Sequence, residues 1–126
     1  MDLSAPTHRG SALTRIYKIL DRPAWEAALA DGAYAGSPLD LADGYIHFST
    51  AAQAPETARR YFAGQADLIV LVVDTESLGE GVRWEPSRGG DLFPHLYGPL
   101  PTALVIEARA APLRADGVPD LGELAP

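Results

Sequence analysis

At 126 residues, with 47% hydrophobic and 21% charged side chains, the chain has the size and balance of one globular domain, which excludes wholesale disorder. It has no cysteine, so a disulfide framework, a thiolate zinc site and a cysteine nucleophile are all excluded. A formal net charge of -7 with only ten Lys and Arg argues against a long nucleic acid as partner, because neutralising phosphates takes clustered cations; one small anion stays compatible.

Residues 1–12 are polar and small, and read as a mobile N-terminal arm that includes His8. Residues 1–11 lack the apolar middle of a signal peptide, and no apolar run reaches the roughly 18 residues of a membrane span, so the expected compartment is the cytoplasm, with no membrane partner. The domain proper is expected over 13–111. Residues 14–20 carry aromatic and β-branched side chains and predict the first strand. Asp21 then N-caps a helix whose first turn holds Pro23 and whose inner face is Trp25, Ala28 and Leu29; Asp31-Gly32 stops it. Residues 33–43 read as an ordered loop leading to a strand at 45–49.

Pro55 opens a second helix, with Glu56 and Arg60 spaced i,i+4 and Ala58, Tyr61 and Phe62 turned inward; Gly64 closes it. Residues 67–73 are a continuous aliphatic run, the pattern of a central strand buried on both faces. A turn at 77–81, a short strand at 82–85, a glycine-rich loop at 87–91 and a last strand at 103–110 follow. Residues 112–126, with three prolines and three acids, read as a loosely packed or disordered tail.

Two blocks hold the side chains suited to chemistry: Asp43-Gly-Tyr-Ile-His-Phe-Ser-Thr50 and Arg88-Gly-Gly-Asp-Leu-Phe-Pro-His-Leu-Tyr-Gly98. Strand alternation turns Ile46 and Phe48 to a core and Tyr45, His47 and Ser49 to the other side. His47 fits a donor to a hydroxyl or a phosphate, or a structural hydrogen bonder. Ser49 and Thr50 fit ligand donors or caps of the helix that follows. Arg88 beside two glycines lets backbone and guanidinium close on an anion. His95, fixed in aim by Pro94, fits a ligand contact or a turn histidine that caps a neighbouring carbonyl. Tyr97 joins the ligand-binding set, and Glu85 is the carboxylate suited to catalysis or to a hydroxyl, or else to an ion pair with Arg83 or Arg88. Trp84 reads as core. His47, His95 and Glu85 also make a nominal two-His-one-carboxylate set, but without the short spacings of a metal motif, so no metal is assigned.

These residues carry a resemblance. Ile-Tyr-Lys-Ile at 16–19, Trp25, Tyr34-Ala-Gly-Ser37, the His47 block with Gln53 and Thr57, Val73-Asp74, Trp84-Glu85 and Phe93-Pro-His-Leu-Tyr-Gly98 resemble the bacterial family called domain of unknown function 952. More distantly, Ile-His-Phe-Ser, the helix with Thr57-Ala58 and the strand ending Val-Val-Asp74 are similar to part of the RNA 2′-phosphotransferases of the ADP-ribosyltransferase superfamily. That likeness implies a split, mostly antiparallel sheet with two helices, α+β, holding NAD as a substrate. It matches His47 and Ser49 to a His-x-Ser motif and puts Tyr17 beside the nicotinamide end. It departs from the family where a first-strand histidine is replaced by Tyr17-Lys18 and where the family's arginines lack counterparts. On this reading Glu85 and His47 are catalytic, with Tyr17, Ser49, Thr50, Arg88, His95 and Tyr97 binding a nucleotide or other small anion. The alternatives are a non-catalytic module for a small anion or a protein partner and, third, a metal-dependent enzyme.

Overall fold

Two aliphatic runs make the centre of the molecule. A computed structural model describes residues 14–126. In it β1 (Arg15–Asp21) and β5 (Leu68–Asp74) pair antiparallel from end to end, Ile16 opposite Val73 and Ile19 opposite Val70. β4 (Ser49–Thr50) adds beyond β1 and β9 (Val105–Ala111) beyond β5, so the sheet runs β4-β1-β5-β9 with every pair antiparallel.

Because successive side chains alternate, this sheet writes two cores. Ile16, Leu20, Ile69, Leu71 and Val73 meet Trp25 of α1 (Arg22–Asp31) together with Ile46, Phe48 and Leu96. On the other face Tyr17, Ile19, Val70 and Val72 meet Ala54 and Ala58 of α3 (Ala54–Tyr61) and Leu121 of the C-terminal segment. A second antiparallel sheet, in the order β3-β7-β6, is built from β3 (Ile46–His47), β7 (Leu92–Leu96) and β6 (Val82–Pro86). A two-stranded ribbon of β2 (Ala33–Tyr34) and β8 (Leu100–Pro101), the short helices α2 (Pro38–Asp43) and α4 (Thr75–Leu78) and three 3-10 turns complete the elements of the described residues. None of the described helices is long and apolar enough to cross a membrane.

Local chemistry explains the boundaries. Asp21 accepts from the Ala24 amide at 2.8 Å to start α1, and Gly32 ends it at φ 87°, where a side chain would be strained. Asp67 sits at φ 60° ahead of β5 and receives Arg22 Nε at 2.7 Å.

The structure corrects several expectations. The stretch 33–43 is not a loop, because Ser37 and Asp40 form a reciprocal capping box that starts α2. With α4, four α-helices stand among the described residues where two helices were expected. The strand expected at 45–49 is cut in two: Ile46 and His47 pair with β7, Ser49 and Tyr17 pair in the larger sheet, and Phe48 N–H donates to Pro94 O at the crossing. His47 therefore does not share the sheet of the 67–73 run; Ser49 does. Residues 92–96, to which the sequence reading gives no element, form a strand.

Leu29 and Tyr61 are exposed, since the inner faces of α1 and α3 are filled by Trp25 with Ala28 and by Ala54 with Ala58. Trp84, expected in the core, is 42% exposed on an edge strand. Residues 112–126 are not loose: Leu121 is buried on the second core, Arg109 Nε donates to Leu121 O at 3.0 Å, and the Tyr17 hydroxyl donates to Ala125 O at 2.6 Å. The arm expected over 1–12, with His8, lies outside the described residues.

Candidate active site

The cleft begins where the two sheets separate. β4 covers the edge of β1 only at Ile16 and Tyr17, and past that point a cleft of about 330 Å³ opens against Lys18 and Ile19. α2 and β3 wall one side, α3 and the turn carrying Arg88 another, and β7 closes it with Phe93 and His95.

Asp40 organises one wall. Its carboxylate is buried at the start of α2, accepts from the Ser37 amide at 2.8 Å and the His47 amide at 3.2 Å, and takes Lys18 Nζ at 2.9 Å on Oδ2. His47 Nδ1 lies 2.6 Å from its Oδ1, and Nε2 of the same ring lies 2.9 Å from Asp43 Oδ2. Both nitrogens thus face carboxylates, and the ring satisfies both only with a proton on each. Burial by itself would raise the Asp40 carboxyl, but the His47 hydrogen bond and the Lys18 ammonium outweigh it and hold the group well below the usual carboxylate range. Lys18 is lowered by its own burial, with Asp40 opposing.

His95 is built differently. Its backbone sits opposite His47 across the β3–β7 pair, and the ring centroids are 5.3 Å apart. Tyr45 stacks on the His95 ring at 4.1 Å. Nδ1 lies 2.7 Å from Glu85 Oε1, while Tyr97 donates to both Glu85 oxygens at 2.9 and 3.1 Å. The hydrogen bond from His95, then that from Tyr97, keep the Glu85 carboxyl below its ordinary range, and the same contact to Glu85 raises the Tyr97 phenol. His95 Nε2 is buried and has no hydrogen-bond partner among the described residues.

The third wall carries the cation. Thr57 gives its hydroxyl proton to Gln53 O at 3.2 Å, so it accepts from Ser49 Oγ at 2.9 Å and from Arg88 Nη1 at 3.3 Å. The Arg88 guanidinium lies 4.9 Å from the Phe93 ring centroid. Gly89 and Gly90, both at positive φ, let the chain turn tightly enough behind it.

Of the residues singled out in the sequence, Tyr17, His47, Ser49, Arg88 and His95 line this cleft. Thr50 does not: it exchanges hydrogen bonds with Gln53 ahead of α3, as a helix cap does. Glu85 and Tyr97 stand behind His95, outside the lining, and Glu85 pairs with neither Arg83 nor Arg88. No group of three metal-ligating side chains comes together among the described residues. Asp40 and Asp43, which hold His47, and Lys18, which neutralises Asp40, are absent from the sequence-derived set. The Ser-Pro-Leu-Asp pattern of a capping box was the available signal for Asp40; nothing local marks its pairing with Lys18.

A split antiparallel α+β fold with a cleft between its sheets, walled by two carboxylate-tied histidines and an arginine, defines the class. The chain belongs to the family described as protein of unknown function (DUF952), whose model matches residues 19–108. It is similar to protein CC0527 from Caulobacter crescentus, whose crystal structure is 55% identical in sequence, superposes with a TM-score of 0.82, and is matched over 84% of this chain and 93% of that one. The solution NMR structure of CC0527 gives 55% identity and a TM-score of 0.79 over 87% of this chain and 95% of that one. No curated protein matches the chain. None of these findings lends support to the likeness to RNA 2′-phosphotransferases.

Proposed function

We propose that the cleft binds a small anionic ligand of the nucleotide class, NAD-derived nucleotides among them, with Arg88 holding the anionic group. One observation carries the reading: of the lysine and the arginine in the lining, Lys18 is neutralised by Asp40, while Arg88 has no carboxylate within ion-pair distance among the described residues. It is steadied instead by a hydroxyl and an aromatic face, which leave most of its donors open. The aromatic side chains of the lining supply apolar surface for a ring. In a protein of net charge -7 such a lone cation selects for a compact anion and against a polyanion.

ADP-ribosyltransferase-like chemistry is the second reading, favoured by His47 and Ser49 both lining the cleft. Breaking the nicotinamide–ribose bond builds positive charge on the ribose, and Glu85, standing outside the lining, is poorly placed to face it. Binding is therefore the better-supported reading.

The test is thermal denaturation with NAD, ADP-ribose and AMP. A ligand held only by the folded state at one hundred times its dissociation constant adds about 2.7 kcal/mol, a rise of several degrees in a domain of this size. Arg88→Ala should abolish the rise. A wild-type protein indifferent to all three at millimolar concentration would sink the reading.

A further inference from the structure

We propose that Nε2 of His95 is the hydrogen-bond acceptor for a ligand hydroxyl, so that the anion this cleft takes is a hydroxylated one, of the ribonucleotide or sugar-phosphate type. The inference rests on Arg88 as the holder of the anionic group.

It starts from the hydrogen-bond accounts of one ring. Glu85 accepts from the Tyr97 hydroxyl and keeps its carboxylate ionised, so the bond to His95 must be donated by the imidazole, from Nδ1–H. A neutral ring with its proton on Nδ1 carries a lone pair on Nε2. That atom is buried and has no partner among the described residues, a condition native structures seldom keep without a use for it.

Neither tautomer nor orientation is free to change. Turning the ring over would break the bond to Glu85, Tyr45 stacks on it at 4.1 Å, and the backbone is fixed opposite His47 by the β3–β7 register. Nδ1 faces Glu85, which lies outside the cleft lining, while His95 itself belongs to the lining; Nε2 is the ring nitrogen left for the cleft. His47 cannot take this role, since carboxylates face both of its nitrogens. The carboxylates of the lining, Asp40 and Asp43, would repel the anion Arg88 holds. Nε2 accepts without adding negative charge. It is screened from water in the unliganded fold, so binding must adjust the cleft wall slightly, and the His95 resonances should report that.

The experiment compares AMP with 2′,3′-dideoxy-AMP by calorimetric titration against the wild type, His95→Asn and Arg88→Gln. Asparagine keeps a donor for Glu85 at the δ position and deletes the acceptor. The wild type should bind AMP roughly tenfold more tightly than the dideoxy probe, the value of one hydrogen bond at a site that otherwise leaves its acceptor unmet. His95→Asn should bring that ratio to about one. Arg88→Gln should weaken both probes alike and leave the ratio intact. A wild type that binds both nucleotides equally removes this inference alone, as does a tenfold ratio that survives in His95→Asn. A wild type that binds neither nucleotide removes the reading of Arg88, and this inference with it. Independently of any ligand, the ¹⁵N spectrum of the free protein should show His95 protonated at Nδ1 and bare at Nε2, and the opposite tautomer would overturn the proposal.

Discussion

His47 and His95 are cross-strand partners with rings 5.3 Å apart, yet they are wired in opposite ways. His47 meets Asp40 through one nitrogen and Asp43 through the other, and its ring is a tie between carboxylates. His95 meets one carboxylate and keeps one nitrogen without a partner. The first arrangement fixes charge and geometry in the wall; only the second leaves an atom able to accept something new. Residue type and motif do not separate the two. Their partners do, and those partners come from α2 in one case and β6 in the other.

The largest effect should come from the tie. Asp40→Ala removes the carboxylate from beneath both Lys18 and His47 and leaves a buried ammonium uncompensated, which should cost about 3–5 kcal/mol in denaturant unfolding. A loss below roughly 1 kcal/mol would mean that water already compensates Lys18, and the contrast between a tied and an open histidine would lose its basis. The same residue sets an acid dependence. The folded-state pKa of Asp40 is depressed, so its contribution is fully present above the unfolded carboxyl value and is lost as pH falls through the folded one. Wild-type stability attributable to Asp40 should therefore persist through the ordinary carboxylate range and fall only in stronger acid. In Asp40→Asn that component of the pH slope should vanish.

His47→Ala should come next, at about 1–3 kcal/mol, because Asp40 keeps Lys18 but loses one donor and Asp43 loses its partner. The variant should still fold. If it proved as damaging as Asp40→Ala, the imidazole rather than the ammonium would be the main support of Asp40.

What could be read in advance, and what could not, follows the same division between local and distant partners. The aliphatic runs of β1 and β5 are legible because burial on both faces leaves no polar interruption, and the start and stop of α1 are legible because Asp21 and Gly32 act within four residues of themselves. α2 was equally legible: Ser37 and Asp40 are three residues apart. The break at Phe48 was not, since it is imposed by Pro94 O, 46 residues further along by numbering, and leaves alternation undisturbed. Glu85 illustrates the limit best. Arg83 and Arg88 are near in sequence, but the β6–β7 register sets Arg83 opposite His95 and Glu85 opposite Phe93, so the carboxylate meets His95 as a diagonal neighbour and reaches Tyr97 two residues further along. The C-terminal segment misled by its prolines, while its apolar residues Val118, Leu121 and Leu124 were the better guide to packing.

The smallest expected effect examines the open histidine from behind. Tyr97→Phe deletes one of the two donors that hold Glu85 ionised and leaves the bond from His95 in place. Tyr97 is exposed, so the loss of stability should be the smallest of the three. The informative change is elsewhere. With one lowering influence gone, the Glu85 carboxyl should titrate at a higher pH than in the wild type, read from its ¹³C resonance, while Asp40 stays where it was. The two carboxylates belong to separate networks, one closed around His47 and one behind His95, and a change confined to Glu85 would demonstrate that separation. Should Asp40 move with Glu85, the histidines are coupled through their 5.3 Å contact, and the tied ring and the open ring would have to be treated as a single titrating unit.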